Sequence, residues 1–273
     1  MTAGADFLAQ IVAEKRRQVA EARRSVSPAQ LEARCAQVPP PRDLAAALRA
    51  AAGDGRVPVI AEVKLASPAR GELGSREERP PAGLARLYAA GGAAAVSVLT
   101  DGRFFGGSLE DLAAVRAAVP LPVLRKDFLV DEYQVLEARA AGADAVLLIV
   151  AALGEEELAR LYRAATALGM GALVEVHTAG ELERALALGA PLLAVNNRNL
   201  HTLEVDLGTT ERLAPLVPSD RLVVSASGLR GPREVRRAWQ AGARAVLVGE
   251  ALVTSPDPAG EVAALCRALR EAD

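Results

Sequence analysis

The period of the apolar positions changes once along the chain. Over residues 6–24, Phe7, Leu8, Ile11, Val12 and Val19 recur at near-helical spacing among charges. That spacing predicts an amphipathic helix. Ser27-Pro28 then reads as an N-cap with proline in the first helical position, opening a second helix to about Cys35. The run Val38-Pro39-Pro40-Pro41 stops it, and Asp43 stands ready to cap a third helix over 44–51. Residues 1–50 are therefore expected to form a helical extension ahead of any strand.

Beyond it the pattern is β-rich and short. Runs at 57–63, 94–100, 122–127, 144–150, 172–177, 192–197, 221–227 and 244–250 are almost continuously apolar. Between them lie Ala/Leu/Arg/Glu-rich segments of helical period. Several of these end in glycine (Gly91, Gly142, Gly169, Gly189 and Gly242), where a left-handed C′ residue closes a helix. Alternating strands and helices imply parallel pairing through crossovers, and strands apolar on both faces imply a covered sheet. Eight such units predict an α/β fold, a (β/α)8 TIM barrel. The extension and barrel together would make 1–273 a single domain. A doubly wound open sheet is the runner-up, weakened by the lack of a Gly-x-Gly-x-x-Gly turn after the first strand.

Composition narrows the class. The 273 residues are 51% hydrophobic and 24% charged, with a net charge of −2. This is globular composition without a basic footprint for nucleic acid. Cys35 and Cys266 lack metal-ligand spacing and read as reduced thiols. With only His177 and His201 present, no histidine-rich metal site is expected, and both histidines are read as non-catalytic. The N-terminal segment has no continuous apolar stretch, and no run is long enough to span a bilayer. A cytoplasmic protein is expected, with no membrane partner, as a monomer or a homodimer.

The scarce residues sharpen this picture. Of 32 basic residues only Lys15, Lys64 and Lys126 are lysines, and the three asparagines are Asn196, Asn197 and Asn199. In a barrel, chemistry sits where strands end. Glu62 and Lys64 end the first strand on one face. Lys126 ends the third, Glu175 the fifth, and Asn196 with Arg198 the sixth. Ser227-Gly228 and Gly249-Glu250 follow the last two strands. Glu62 and Lys64 are either a structural ion pair or working groups, since charges facing a barrel interior are costly unless paired or used. Lysine, unlike arginine, can have its pKa lowered by burial into a proton-donating range. Lys15 reads as ordinary helix surface. Glu175, inside an apolar run, suits general acid–base work. Ser67, Ser227, Gly228 and Gly249 offer hydroxyls and backbone amides to a phosphate. Phe104, Phe105 and Phe128 are three of eight aromatics, all in loops after strands, and read as either packing anchors or an apolar wall for a flat ring.

Several strings resemble one family. VIAEVKLASPARG (59–71) resembles the first-strand motif of indole-3-glycerol-phosphate synthases. SVLTDGRFFGGSLEDL (97–112), PVLRKDFLVDEYQ (122–134), LVEVHT (173–178), VNNRNLHTLEVD (195–206) and SGL (227–229) resemble its later motifs in the same order. The resemblance implies a carbon–carbon lyase of tryptophan biosynthesis that needs no cofactor. Its substrate would be 1-(2-carboxyphenylamino)-1-deoxyribulose 5-phosphate, closed to indole-3-glycerol phosphate with loss of carbon dioxide and water. It implies Lys126 as general acid, Glu175 as acid/base, and Glu62 with Lys64 for positioning and proton transfer in dehydration. It further implies Ser67, Gly228 and Gly249 at the phosphate, Asn196 and Arg198 as polar substrate contacts, and the phenylalanines as an aromatic pocket. Ser227 and Glu250 complete the expected contacts.

One departure stands out. The family pattern Ser-Glu-Ser-Gly is here Ser225-Ala226-Ser227-Gly228, so Ala226 occupies a glutamate position. Two alternatives follow: a specialised, weakly active or non-catalytic paralogue, and another phosphosugar enzyme of the same fold, such as an isomerase. The Glu62/Lys64/Lys126/Glu175 set argues against the latter.

Overall fold

The computed structural model describes residues 7–53, 55–68 and 70–270. Helix α1 (Phe7–Ser25) buries Leu8, Ile11, Lys15 and Val19 as one stripe. Asp6, where the sequence pattern opens this helix, lies outside the described residues. Helix α2 (Pro28–Cys35) starts at a reciprocal cap: Gln30 N donates to Ser27 Oγ, and Ser27 N donates to Gln30 Oε1 at 2.8 Å. Asp43 Oδ1 accepts from Ala46 N at 2.9 Å at the head of α3 (Leu44–Gly53).

Eight parallel strands follow: β1 (Val59–Val63), β2 (Ala95–Leu99), β3 (Val123–Lys126), β4 (Ala145–Ile149), β5 (Gly171–Val176), β6 (Leu192–Asn196), β7 (Leu222–Ala226) and β8 (Ala245–Val248). They close into a barrel, β1 pairing with both β2 and β8. Most are a residue or two shorter than the runs that predict them, and β5 starts one residue earlier. Two elements in the loops have no counterpart in the sequence reading. One is a small hairpin of Ala66–Ser67 with Gly71–Glu72, and the other a short helix Gly102–Phe105.

Alternation along each strand separates two cores. Ile60, Leu124, Leu147, Leu173, Ala194 and Leu247 fill the barrel interior together with Leu44 and Leu48 of α3. Val59, Val98, Val146, Val174 and Val195 pack outward against the helices. The chain before α3 crosses the end where strands begin. There Arg42 N donates to Asp144 Oδ1 at 2.7 Å, and its Nη1 donates to the carbonyls of Val119 and Leu121. That end is plugged.

Helix α1 lies at the other end, and this overturns the surface reading of Lys15. The side chain is buried, with Nζ 2.6 Å from Asp101 and 2.7 Å from Asp127, both in loops after strands. An isolated helix cannot reveal such partners, because both carboxylates come from elsewhere in the chain. Gly91 is a second correction. Its φ is −71°, and the left-handed residue is Gly92 at +90°. A Cβ at Gly91 would come within 2.4 Å of the Ala259 carbonyl, so close approach explains that glycine. Gly142, Gly169, Gly189 and Gly242 have positive φ as expected. Both cysteines are free thiols.

Candidate active site

On four of the eight strands the inward stripe turns polar near the end, while on the others it stays apolar. Glu62 precedes the end of β1, Lys126 ends β3, Glu175 precedes the end of β5 and Asn196 ends β6. Together they line a cavity of about 520 Å³ in the barrel mouth. Lys64, Ser67, Phe105, Phe128, Arg198, Ser227, Gly228, Gly249 and Glu250 also line it. Phe104 does not. It packs edge-on against Phe7 of α1, with ring centroids 5.7 Å apart. Phe7 itself reaches the cavity, and Phe105 stacks on Phe128 at 6.4 Å.

Glu62 is the hub of the charged wall. Its Oε1 is 3.1 Å from Lys64 Nζ, and its Oε2 is 3.5 Å from Lys126 Nζ. Burial alone would raise the Glu62 pKa, but Lys64 and Lys126 hold it below the ordinary carboxylate value. Burial likewise works against the Lys126 ammonium, yet Glu62 and Glu175 carry its pKa above the ordinary lysine value. The lowered pKa expected from burial is therefore not what this lysine has. Its resting form is the ammonium, the form a general acid needs. The Glu62–Lys64 ion pair exists, and both residues line the cavity.

Across the mouth, Asn196 Nδ2 donates to Glu175 Oε1 at 3.0 Å, and Arg198 N donates to Asn196 Oδ1 at 3.0 Å. Arg198 Nη1 donates to the Leu203 carbonyl, which folds the loop after β6 back on itself. Two aligned strand ends thus fix one carboxylate and one guanidinium.

The remaining lining suits an anion. The buried Ser67 Oγ has no hydrogen-bond partner. Ser227 and Gly228 are consecutive left-handed residues, with φ of +68° and +77°. A serine held there stores strain, which is tolerated where the surroundings over-determine it. Asn197 supplies that restraint: its Nδ2 donates to the Ser227 carbonyl at 3.0 Å and to Ser225 Oγ at 3.1 Å. Gly249 has a different reason for lacking a side chain. A Cβ there would stand 2.2 Å from Glu62 Oε1. Glu250 is turned to Arg70, 2.8 Å away, in a pair linking the first and last loops. Ala226 pairs in register with Asn196 and is buried.

A second charged cluster sits behind this wall. Asp127 Oδ1 meets Lys15, and Asp127 Oδ2 meets Arg125 Nη2 at 3.1 Å and accepts from Thr100 Oγ1 at 2.7 Å. Burial would raise the Asp127 pKa; Arg125 and Lys15 bring it below the ordinary value. Asp127 adjoins both Lys126 and Phe128, and Asp101 caps the helix that carries Phe104 and Phe105. The cluster thereby holds catalytic-wall and aromatic-wall residues together.

Sequence reasoning did not place Phe7, Lys15 or Asn197 at this site. The lysine scarcity already flagged Lys15, and the asparagine cluster contained Asn197. His177 sits just outside the cavity, its Nε2 3.6 Å from Glu175 Oε1.

Comparison with known proteins agrees with this geometry. The family model described as indole-3-glycerol phosphate synthase matches residues 8–265. A curated indole-3-glycerol phosphate synthase of Nocardioides sp. is 58% identical over 252 residues, covering 92% of this chain and 95% of the relative. One from Parafrankia sp. is 56% identical, covering 96% and 95%. Among solved structures, thiamine phosphate pyrophosphorylase from Pyrococcus furiosus superposes with a TM-score of 0.59 at 16% identity. It covers 84% of this chain and 98% of that one, a likeness of fold alone.

Proposed function

The chain belongs to the indole-3-glycerol phosphate synthase family, and on that premise we propose how its barrel mouth closes the indole ring. The substrate is 1-(2-carboxyphenylamino)-1-deoxyribulose 5-phosphate. The observation that carries the reading is the Lys64–Glu62–Lys126 wall facing the Glu175–Asn196 pair across one cavity.

Lys126, as an ammonium, protonates the ribulose carbonyl oxygen while the aromatic carbon attacks the carbonyl carbon. Carbon dioxide then leaves from that ring carbon, restoring aromaticity. Dehydration needs one group to protonate the departing hydroxyl and another to take a proton from the neighbouring carbon. Glu175 acts as acid/base here, with Lys64 and Glu62 positioning the substrate and passing the proton. Ser67, Ser227 and the backbone at Gly228 and Gly249 hold the phosphate. Arg198 and Asn196 contact the polar part of the substrate, and Phe105 and Phe128 flank its ring, with Phe104 supporting through Phe7. The paired Glu250 shapes the mouth.

The ammonium groups and fixed dipoles stabilise negative charge developing on oxygen, which is chemistry that needs no organic cofactor. We place the reaction in the cytoplasm, carried out by a single barrel domain whose first helix covers the mouth. No nucleic acid or membrane takes part, and the unit is a monomer or a homodimer. Adding the substrate to the purified protein without added metal should give indole fluorescence. A protein that binds the substrate yet yields no fluorescence would overturn the proposal.

A further inference from the structure

Three buried carboxylates line the cavity among the described residues: Glu62, Asp127 and Glu175. The first two are each held by two cations, Glu62 by Lys64 and Lys126, and Asp127 by Lys15 and Arg125. Glu175 has a neutral amide, Asn196, on one oxygen, and the His177 ring nearby. No carboxylate comes from β7 to share its work, because Ala226 stands opposite Asn196.

His177 is built unlike a packing residue. Its backbone N donates to Glu181 Oε2 at 2.8 Å, and its Nδ1 lies 3.3 Å from the same oxygen. Thr178 Oγ1 donates to the other Glu181 oxygen, and Glu181 N donates back to Thr178 Oγ1. One ring nitrogen is thus anchored. The other, Nε2, is buried, makes no hydrogen bond of ordinary geometry and faces Glu175 Oε1 at 3.6 Å, with the Arg198 backbone close enough to favour the charged ring. Buried polar atoms in native proteins are nearly always satisfied, so an orphan beside a site carboxylate calls for a reason.

The chemistry of the proposed reaction supplies one. A substrate carboxylate departs as neutral carbon dioxide and a carbonyl oxygen departs as water. One carbon–carbon bond forms and one breaks, and the dehydration gives and takes one proton. Each turnover therefore consumes one proton net, which solvent must return to a largely enclosed site. We propose that His177, anchored by Glu181, is a positioning residue that returns protons to Glu175 between turnovers. In the imidazolium, the Nε2–H bond breaks and its electron pair stays on nitrogen. The proton joins a lone pair of Glu175 Oε1. The neutral ring keeps Nδ1–H on Glu181, and a hydronium ion that reaches Nε2 when the ring turns toward solvent restores the imidazolium and leaves water.

The groups facing His177 favour the charged ring. Burial works against it, but Glu181 and Glu175 raise its pKa above the ordinary histidine value, and the Arg198 backbone adds to this. A ring whose charged form is favoured and which is linked to a partly exposed carboxylate is suited to such exchange.

This inference rests on the proposed ring closure, so its test has two readouts. The first is kinetic. His177→Gln should lower kcat roughly tenfold, below the ~10²–10⁴ expected of a group acting at the reacting atom, with KM unchanged. Turnover of the variant should rise with imidazole concentration at fixed pH, whereas wild-type turnover should not. The second readout needs no turnover. The chain has two histidines, so the His177 NMR signal is identified by its loss in His177→Gln. In the free protein it should titrate above the ordinary histidine value, and Glu181→Gln should lower that midpoint. Wild-type kcat in His177→Gln, or a loss that imidazole does not relieve, would overturn the relay. An ordinary His177 midpoint unmoved by Glu181→Gln would also overturn it. A wild-type protein inactive on the substrate, with the titration as expected, would instead count against the proposed ring closure.

Discussion

Two buried lysine–carboxylate clusters lie side by side at the barrel mouth and have opposite designs. Around Asp127, every charged oxygen is spoken for by Lys15, Arg125 or Thr100, and Lys15 bridges to Asp101 as well. Around Glu62, the two lysines share one carboxylate and keep open faces toward the cavity. The first cluster is closed and holds loops together. The second is under-coordinated, so incoming oxygen can complete it. Burying charge is costly in both, but only the open arrangement leaves that charge available to a developing oxyanion.

The strongest way to sharpen the contrast is Lys126→Met. Turnover should fall by about 10³-fold, while the thermal midpoint stays close to wild type because Glu62 keeps Lys64. Steady-state kinetics and a melting curve decide it; a large loss of stability with modest loss of rate would reverse the assignment. Lys15→Met should do the opposite. It strands Asp101 and Asp127, costing about 3–5 kcal/mol and lowering Tm by roughly 10 °C. Denaturant titration reads this directly, and an unchanged midpoint would break the comparison.

pH reaches both clusters through their carboxylates, Asp127 and Glu62, and the open one through Lys126 as well. Asp127 has a folded pKa below its unfolded value. Its contribution to stability is therefore present above about pH 4 and lost as pH falls through the folded pKa. Lys126, raised above its unfolded value, contributes below about pH 10 and loses that contribution as pH rises through its folded pKa. Asp127→Asn should be less stable at pH 7 and show a shallower acid slope; an acid slope identical to wild type would remove Asp127 from the account. The smallest effect is expected from Ala226→Glu. With Glu175 already fixed by Asn196, the added carboxylate should change kcat by less than about threefold, under ~1 kcal/mol in barrier. A tenfold rise would mean that the alanine limits the rate.

Much of this was legible in the chain. Strand and helix periods, the Ser27 cap and the proline break depend on neighbours a few residues away, so the (β/α)8 order and the helical extension could be read directly. Glu62, Lys126, Glu175 and Asn196 were legible because strand ends converge in this fold whatever the loops do. Where side chains meet across long separations, local pattern was silent. Lys15 looked like surface and Gly91 like a left-handed cap.

The sequence by itself thus determined the barrel, its active end and the residue types that meet there, since these follow from periodicity and from position along each strand. Tertiary structure alone decided which charges are closed and which stay open. It folds α1 over the mouth to saturate Asp127 and aims Phe7 into the cavity. Those outcomes depend on distances between segments up to a hundred residues or more apart, which no local spacing encodes.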